Sequence, residues 1–482
     1  MKFRIKDVRF YMLDCRTRIP FQFGIANMTW APMLVARVTI EVGGQSTSTG
    51  ASADLLVPKW FDKTPELSFR QNIEDLVASA RNAAAAIMAD QGTNADAFEH
   101  WHRLYRTRYA GLAADANTGL VAGFGVALIE RAVIDAVCRA GGLSFHEAMR
   151  GGALGLDAGR IHAELEDWDV RGTLADKPAS VIRARHTVGL ADPLRTAHIG
   201  AEDRLRDGLP QSLEENIETY GLECFKIKVA GDLEADLSRL TEISGIIGAR
   251  APHALITIDG NEQFADPDDL VLLLERLESS EEGRFLLANL HLIEQPLPRS
   301  ITFDTAATAA IGQMNARAPV IIDESDSGIE SFHLAVERGY RGVSVKNCKG
   351  VFRSFLKLGL CERLARESGE RFVLSAEDLT NLAILPLQQD LCSVASLGIS
   401  HVERNGHHYF PGLEHLPGRD ADQALRDHPS LYRRYGDDGV ALAIRGGNIR
   451  LDSLDVPGFG DRGTPTFDEY VPLEDWRYEA QR

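Results

Sequence analysis

The chain has 482 residues, of which 44% are hydrophobic and 25% are charged, a composition that excludes a disordered or collagen-like protein. It holds 52 Lys and Arg against 70 Asp and Glu, which gives a formal net charge of −18. A chain this acidic is not expected to bind nucleic acid or an anionic membrane surface.

The cysteines and the N-terminus indicate the compartment. Six cysteines are scattered without a CxxC pair, which argues against a disulfide framework or a structural zinc site. The first ten residues alternate charged and apolar side chains, unlike a signal peptide, and no run approaches the roughly 18 apolar residues of a membrane span. We therefore expect a cytoplasmic protein.

The first 155 or so residues have strands followed by helices, which is the order of an α+β domain. Alternation of apolar and polar residues predicts two strands, at 3–13 and 32–42. Helical periodicity predicts three helices, near 66–90, 94–112 and 121–140. Two predicted loops, 18–30 and 51–64, contain large apolar side chains. Such side chains either pack beneath their loop or form a lid over a pocket of another domain, and the pattern leaves both open.

Short apolar runs follow, each with a charged residue at or near its end and each leading into a helical segment. They lie at 223–229, 254–261, 290–296, 319–325, 342–347, 371–378 and 400–404. Their spacing is that of one βα unit, and so many units in series favour a closed parallel barrel over an open, doubly wound sheet. The first barrel strand is either 160–165 or 180–188, and the polar stretch between these two runs has the character of an insertion.

Three lysines occupy the ends of two of these runs. In a strand the period of two puts Lys226 and Lys228 on the same side, inside the barrel, and Lys346 ends a later strand. Catalytic groups of a barrel lie at the carboxyl ends of its strands. A KxK pair alone is common on exposed edge strands, so the interpretation depends on the other strand ends.

Carboxylates end the three strands between these lysines, namely Asp259, Glu294 and Asp323. Three convergent carboxylates repel one another unless a cation neutralises them, and all-oxygen ligation predicts Mg²⁺, with Mn²⁺ as its substitute. Zinc would recruit His or Cys ligands. Asn261 lies on the same face as Asp259 and either extends the ligand set, binds substrate or merely forms a turn.

A metal flanked by lysines indicates carbon-acid chemistry. A carboxylate substrate bound to Mg²⁺ can hold a second negative charge as an enediolate when its α-proton leaves. A lysine that acts as a base near neutrality needs a pKa about 3 below its ordinary value, and a neighbouring positive charge provides that shift. We therefore expect Lys228 to be the base and Lys226 its electrostatic partner.

On these residues the sequence resembles the enolase superfamily. The resemblance spans most of the chain, through residues 128–152 (LIERAVIDAV to GGLSFHEAMRGG) and the motifs FKIKVAG, IDGN, IEQP, IDES and VKNCKG. Within the mandelate racemase/muconate lactonizing enzyme family, the KxK pair and the strand-six lysine are similar to the muconate lactonizing enzyme subgroup. Strand seven ends in SAEDLTN, without the histidine of the mandelate racemase subgroup.

The resemblance implies a fold and a set of roles. The fold is α/β, a modified TIM barrel (β/α)7β over 156–410, with an α+β capping domain over 1–155 completed by a C-terminal segment, 411–482. By the same resemblance Asp259, Glu294 and Asp323 are metal ligands, while Lys228 and Lys346 face each other across the substrate. This chain departs from the family in its long 156–215 stretch, its long tail and a single glycine, Gly350, where two are usual.

The resemblance also implies substrate contacts. The two aromatic loops are similar to specificity loops that the capping domain lowers onto the barrel, and they would line the site with Phe21, Phe23, Trp30 and Trp60. Glu377 and Asp378 would recognise an ammonium or hydroxyl group, or would form a solvated loop face. Glu403 would bind the substrate carboxylate, or would pair with Arg404. His407 and His408 are expected at the surface.

We therefore expect a Mg²⁺-dependent enzyme that abstracts the α-proton of a small carboxylate substrate, as a racemase, epimerase or cycloisomerase. An acid-sugar dehydratase with the same site is the alternative, with Glu403 or Lys346 as the acid for the leaving hydroxide. A barrel that binds a carboxylate without turnover is the third hypothesis. Family analogy alone suggests a homo-oligomer.

Overall fold

A computed structural model describes residues 1–44, 46–90, 92–109, 116–463 and 465–478, with the backbone alone for 116–118. The N-terminal part has three strands and four helices: β1 Phe3–Phe23, β2 Ala26–Val42, β3 Ser46–Leu55, α1 Phe69–Ala89, α2 Ala97–Tyr109, α3 Ala116–Gly141 and α4 Phe145–Arg150. The predicted 94–112 helix ends at Tyr109 in the described chain, and residues 110–112 lie outside it.

The first predicted loop is wrong, because residues 18–30 form most of a hairpin. β1 and β2 pair as far as Phe23 and Ala26, with a turn at Gly24 and Ile25. The second predicted loop, 51–64, begins as the end of β3, which pairs with β2 along its whole length. Aromatic and β-branched residues favour extended backbone, so the apolar side chains of the 18–30 segment are mostly strand residues, whereas Trp60 and Phe61 lie in the loop after β3.

The antiparallel sheet of this part packs on α1 and α3. Ser68 begins α1 with a capping box in which Gln71 reciprocates, and this pair fixes where the helix starts. The buried guanidinium of Arg131 on α3 pairs with Asp54 and donates to the carbonyl oxygen of Ala53, at 3.1 Å, so the helix is tied to β3. Desolvated charges of this kind are tolerated only when paired.

Eight parallel strands then form a closed barrel: β4 Val181–Val188, β5 Cys224–Lys228, β6 Leu255–Asp259, β7 Leu290–Glu294, β8 Val320–Ile322, β9 Gly342–Val345, β10 Val373–Ala376 and β11 His401–Arg404. Pairing of β11 with β4 closes the sheet. The first barrel strand is thus the second of the two predicted alternatives. The predicted α/β fold, a TIM-like barrel with an N-terminal antiparallel sheet, is confirmed.

Helices connect successive barrel strands. They are α6 Leu213–Tyr220, α7 Leu233–Arg250, α8 Pro267–Leu277, α9 Glu281–Ala288, α10 Thr308–Asn315, α11 Ser331–Glu337, α12 Val351–Ser368 and α13 Leu385–Ser396, preceded by the short α5 Val170–Thr173 and followed by α14 Gly406–Tyr409. Several of these helices begin at Ser or Asp caps, for example Asp232 before α7 and Asp266 before α8. A 3₁₀ turn, Ala163–Leu165, lies in the stretch before β4.

The C-terminal segment returns to both earlier parts. It contains α15 Gly418–Asp427, β12 Tyr432–Tyr435, β13 Gly439–Leu442, β14 Asn448–Arg450 and β15 Val471–Pro472. β14 pairs with the barrel strand β4, and β15 pairs with β1 of the N-terminal sheet. Within the described chain, we find no helix with both the length and the apolar character needed to cross a membrane.

The crossing of α1 and α3 leaves no room for a side chain at Gly125. A Cβ there would lie 2.3 Å from the carbonyl oxygen of Ser79. We expect Gly125→Ala to lower the free energy of unfolding by about 1–3 kcal/mol, because the two backbones must separate. The matched control is Gly312→Ala on α10, where a Cβ meets no described atom within 4 Å and alanine should stabilise by about 0.5–1 kcal/mol. Urea unfolding of both variants tests the packing, and equal effects would contradict it.

Candidate functional site

Strand register brings the predicted residues to one end of the barrel. Lys228, Asp259 and Glu294 are the last residues of β5, β6 and β7, and they pair across neighbouring strands, Lys228 with Asp259 and Asp259 with Glu294. Asp323 and Lys346 each follow the last residue of the next two strands, β8 and β9. Parallel strands in register present their carboxyl ends at the same edge, so five separate sequence motifs form one cluster.

Lys226 is the centre of a buried charge cluster. Its Nζ lies 2.9 Å from Asp259 Oδ2, 2.6 Å from Glu294 Oε2, 2.8 Å from Glu377 Oε2 and 2.9 Å from Glu403 Oε2. Burial opposes the charged form, but these carboxylates outweigh burial and raise the pKa of Lys226 well above its ordinary value. Lys226 is therefore not the free positive charge beside Lys228 that the sequence suggested, since four carboxylates compensate it.

Glu377 belongs to this internal cluster and does not line the pocket described below. Its carboxylate pairs with the fully buried guanidinium of Arg185, on the first barrel strand, as well as with Lys226. Neither of the two predicted alternatives, substrate recognition or a solvated face, describes this position. The sequence showed Glu377 at a strand end but could not show that its cationic partners come from β4 and β5.

Lys228 and Lys346 each contact one carboxylate at the barrel end. Lys228 Nζ lies 2.6 Å from Asp259 Oδ2, and Lys346 Nζ lies 2.7 Å from Asp323 Oδ2. Although burial works against the ammonium form, Asp323 raises the pKa of Lys346 above its ordinary value. Asp323 also contacts Lys349 Nζ at 3.1 Å, a cation that the VKNCKG motif contains but the sequence analysis did not select.

The carboxylates retain oxygens that can bind a cation. Four buried oxygens accept no hydrogen bond from the described residues: both oxygens of Glu294, Oδ2 of Asp323 and Oδ1 of Asn261. Lysine Nζ atoms nevertheless lie close to two of them, Glu294 Oε2 and Asp323 Oδ2. Burial and the neighbouring Asp259 and Glu377 carboxylates raise the pKa of Glu294 well above its ordinary value. The oxygen-only donor set of these residues fits a hard divalent ion.

The two lysines open into one small pocket with a cavity volume of about 20 Å³. It is lined by Phe21, Phe23, Val57, Trp60, Lys228, Asn261, Lys346, Asp378, Leu379, Thr380, Glu403 and Asn405. The N-terminal part thus contributes an aromatic wall, as the lid interpretation of its loops predicted. Trp30 is placed elsewhere: it packs edge-on against Tyr478 of the C-terminal tail, with ring centroids 5.5 Å apart.

Trp60 covers one of the two lysines. The Lys346 Nζ lies 4.4 Å from the centroid of the Trp60 ring, a distance at which the ring face attracts a cation. On the other side of the wall, Phe21 stacks on Tyr409 with centroids 4.0 Å apart. The aromatic residues therefore both exclude water and fix the position of Lys346.

A buried arginine holds the Trp60 segment on the barrel. Arg299 donates to the carbonyl oxygens of Trp60 at 3.0 Å and Phe61 at 2.8 Å, and it forms two side-chain hydrogen bonds of 2.8 Å with Glu262. Lys63 completes the contact, because its Nζ lies 2.5 Å from Glu262 Oε2. Arg299, Glu262 and Lys63 form what we call the loop latch. The sequence analysis missed it, since no local pattern links residue 63 with residue 299.

The remaining predicted residues differ in their surroundings. Asp378 lines the pocket, and burial raises its pKa to about 6 although Arg404 lies 3.3 Å away. Glu403 does not pair with Arg404; it accepts a hydrogen bond from Thr187 at 2.7 Å and contacts Lys226. Burial opposes ionisation of Glu403, but the lysines, above all Lys226, lower its pKa well below the ordinary value.

The prediction that His407 and His408 lie at the surface is wrong. Both are buried, and His407 Nε2 lies 3.0 Å from the Nδ1 of His186 on β4. His408 Nδ1 lies 3.1 Å from Asn216 Nδ2 on α6. The segment after β11 crosses back over the first strand of the closed barrel, and this closure is what buries the pair.

Comparison with solved structures supports the fold. An enolase from Bradyrhizobium, complexed with magnesium and mandelic acid, is 15% identical with a TM-score of 0.59 over 98% of this chain and 97% of its own. A muconate lactonizing enzyme from Pseudomonas fluorescens, complexed with muconolactone, is 15% identical with a TM-score of 0.59 over 95% and 96%. A dipeptide epimerase from Enterococcus faecalis, complexed with Mg and a dipeptide, is 15% identical with a TM-score of 0.58 over 95% and 99%.

Further neighbours are mandelate racemase/muconate lactonizing enzymes and related proteins. No family model and no curated protein matches the sequence. At these identities the likeness establishes the shared fold, which is the one that the sequence resemblance predicted.

The loop latch generates a prediction that needs no substrate. We expect Arg299→Ala to accelerate amide hydrogen exchange in residues 56–64, because the carbonyl oxygens of Trp60 and Phe61 lose their donor. The control is Arg317→Ala, which removes a surface ion pair with Glu278 and should leave exchange in this segment unchanged. Equal protection of 56–64 in both variants would show that the latch does not hold the loop.

Proposed function

We propose that this chain is an enolase-superfamily enzyme that removes the α-proton of a small carboxylate substrate, as a racemase or epimerase or as a cycloisomerase. One observation carries the proposal. Lys228 and Lys346 line one small pocket, and each contacts a carboxylate of the acidic cluster at the barrel end. Two amines on one pocket allow a proton to be removed by one and returned by the other.

The acidic cluster would hold Mg²⁺, with Mn²⁺ as a substitute. Asp259, Glu294 and Asp323 offer carboxylate oxygens. Both oxygens of Glu294 and one oxygen of Asp323 accept no hydrogen bond within the described structure, which supports this assignment. Loss of the α-proton would place a second negative charge on the substrate carboxylate, as in an enediolate. Bound Mg²⁺ would stabilise that charge. The solved neighbour from Bradyrhizobium is named as a complex with magnesium, in line with this proposal.

The lysines depend on the same carboxylates. If Asp259 and Asp323 held the metal, Lys228 and Lys346 would each share the carboxylate that they contact with that metal and would lose part of their counter-charge. Lys346 is also held by Trp60, which favours its charged form. We therefore assign Lys228 as the base and Lys346 as the proton donor in one direction of the reaction.

The pocket lining supports a substrate that carries a further polar group. Trp60 Nε1 and the side-chain oxygens of Asn261 and Asn405 are buried without a hydrogen-bond partner in the described chain, and all three residues line the pocket. Unpaired buried polar atoms are costly, so a ligand that pairs with them gains affinity. The aromatic wall of Phe21 and Phe23 would contact the apolar part of the same ligand.

Acid-sugar dehydration remains the second candidate, and Asp378 favours it. This carboxyl faces the pocket, and its pKa of about 6 lets it carry a proton more readily than an ordinary aspartate. It could therefore protonate a leaving hydroxide. Glu403, which the sequence suggested as the acid, suits this role less well, because its pKa is held well below the ordinary value.

Proton NMR in D₂O with Mg²⁺ tests the lysines against pools of N-acylamino acids, dipeptides, amino acid betaines and acid sugars. We expect Lys228→Ala and Lys346→Ala to lower the rate of α-proton exchange or conversion by about 10²–10⁴-fold, the usual contribution of a general acid or base. Lys6→Ala, at a largely exposed surface pair with Glu41, is the control and should keep the wild-type rate.

The form of the signal separates the two candidates. Loss of the α-proton signal without net conversion indicates a racemase or epimerase, whereas new keto-acid signals indicate a dehydratase. If a pool turns over equally in the wild type and both lysine variants, the proposed roles of Lys228 and Lys346 are wrong. Asp378→Asn should abolish dehydration while leaving α-proton exchange detectable.

Metal binding can be measured without substrate. Electron paramagnetic resonance measures Mn²⁺ binding directly. We expect Glu294→Gln to weaken this binding by at least about 10-fold, because the substitution removes a charged ligand. The control is Glu234→Gln, whose exposed side chain should not affect the metal. Unchanged binding in Glu294→Gln would contradict the ligand assignment.

A further inference from the structure

Two histidines and a glutamate meet on the outer helix layer of the barrel. His162 and Glu164 lie at the 3₁₀ turn of the stretch before β4, and His333 lies on α11. One ligand atom of each side chain lies within 4.8 Å of the other two. We propose that His162, Glu164 and His333 form a second metal site, for Zn²⁺ or a similar transition metal, separate from the barrel end.

The geometry brings the three side chains face to face. His333 Nε2 lies 2.5 Å from Glu164 Oε1, and the rings of His162 and His333 have centroids 4.8 Å apart at an angle of 44°. Two protonated imidazoles at this distance would repel each other, so at least one ring offers a neutral nitrogen lone pair. A cation between the three groups binds both rings and the carboxylate without that repulsion.

The donor set selects the metal. Two imidazole nitrogens and one carboxylate oxygen suit Zn²⁺ and its neighbours, whereas the oxygen-only cluster at the barrel end suits Mg²⁺. Three protein ligands leave a fourth position for water or another small ligand. His162 is buried, whereas the side chains of His333 and Glu164 are 32% and 37% exposed, so the open position faces the solvent side.

An acceptor for the outer nitrogen of His333 is already nearby. His333 Nδ1 is buried and has no hydrogen-bond partner within the described residues, and Glu330 Oε2 lies 3.8 Å from it. If Nε2 binds the metal, Nδ1 carries the ring proton and needs an acceptor. Carboxylates commonly orient metal-bound histidines in this way, and Glu330 is placed to do so.

Other contacts hold the turn in place without the imidazoles. Arg363 of α12 donates to the carbonyl oxygen of Glu164, and Trp168 Nε1 donates to Glu362 Oε2 at 2.9 Å. These contacts hold the turn against α12, so the placement of His162 and Glu164 does not depend on the imidazoles alone. A metal here would fasten the long stretch before β4 to the barrel helix α11.

The test counts zinc in the full chain. Metal-free protein is dialysed against Zn²⁺ with excess Mg²⁺, which occupies the barrel end, and bound zinc is measured by mass spectrometry. We expect one zinc per wild-type chain and none for His162→Ala or His333→Ala. Glu330→Gln should lower the affinity about 10-fold, because it removes only the outer acceptor. His253→Ala, at an exposed histidine, and Glu294→Gln, at the barrel end, are controls that should keep the zinc.

Two further readouts separate binding from folding. Each variant is compared with and without zinc, and zinc should raise the unfolding temperature only where the site is intact. Glu164→Gln, which preserves the shape of the side chain, should also lose zinc. Cobalt should give the visible absorption of a four-coordinate site with nitrogen and oxygen ligands in the wild type alone. Zinc uptake that survives both histidine substitutions, or wild-type protein that binds none, would overturn the proposal.

Discussion

The barrel interior depends on the ion pairs that the ammonium group of Lys226 forms with four carboxylates. Asp259, Glu294, Glu377 and Glu403 all lie within 2.9 Å of it, from four different strands. Burying this many carboxylates without a cation would cost many kcal/mol, and removing one partner of such a cluster leaves an uncompensated charge. Lys226 therefore compensates carboxylates at the ends of several strands at once, and the arrangement of the barrel end depends on it.

The aromatic wall of the pocket and the charged residues at the barrel end come from different parts of the chain. Phe21, Phe23 and Trp60 come from the N-terminal sheet and its following loop, and the loop latch fixes the last of them to the barrel through Arg299. This division places the aromatic wall and the strand-end charges on separate segments of the chain. It also explains why one side chain, Trp60, both lines the pocket and contacts Lys346.

Local pattern predicted the barrel strands and their polar ends well. Short apolar runs ending in charge are a strong signal, since strands covered on both faces consist mainly of apolar residues and a charged residue at the end stands out. The pattern failed where contacts join distant segments: Trp30 alternates like its neighbours but faces Tyr478, and His407 is buried only because β11 closes on β4. The 18–30 hairpin was missed because aromatic residues in a predicted loop were attributed to lid packing.

The sequence by itself determined which residue types end each strand, and hence that lysines and carboxylates would meet at one edge. Period and spacing are local properties, so the chain order alone carries them. Only the tertiary structure decided the partners of those charges: Lys226 shared among four carboxylates, Glu377 facing Arg185, Glu403 facing Thr187, and His333 meeting His162. These pairings depend on barrel closure and on the docking of inserted segments. Their energies depend on burial of the paired groups, and a segment on its own does not bury its side chains.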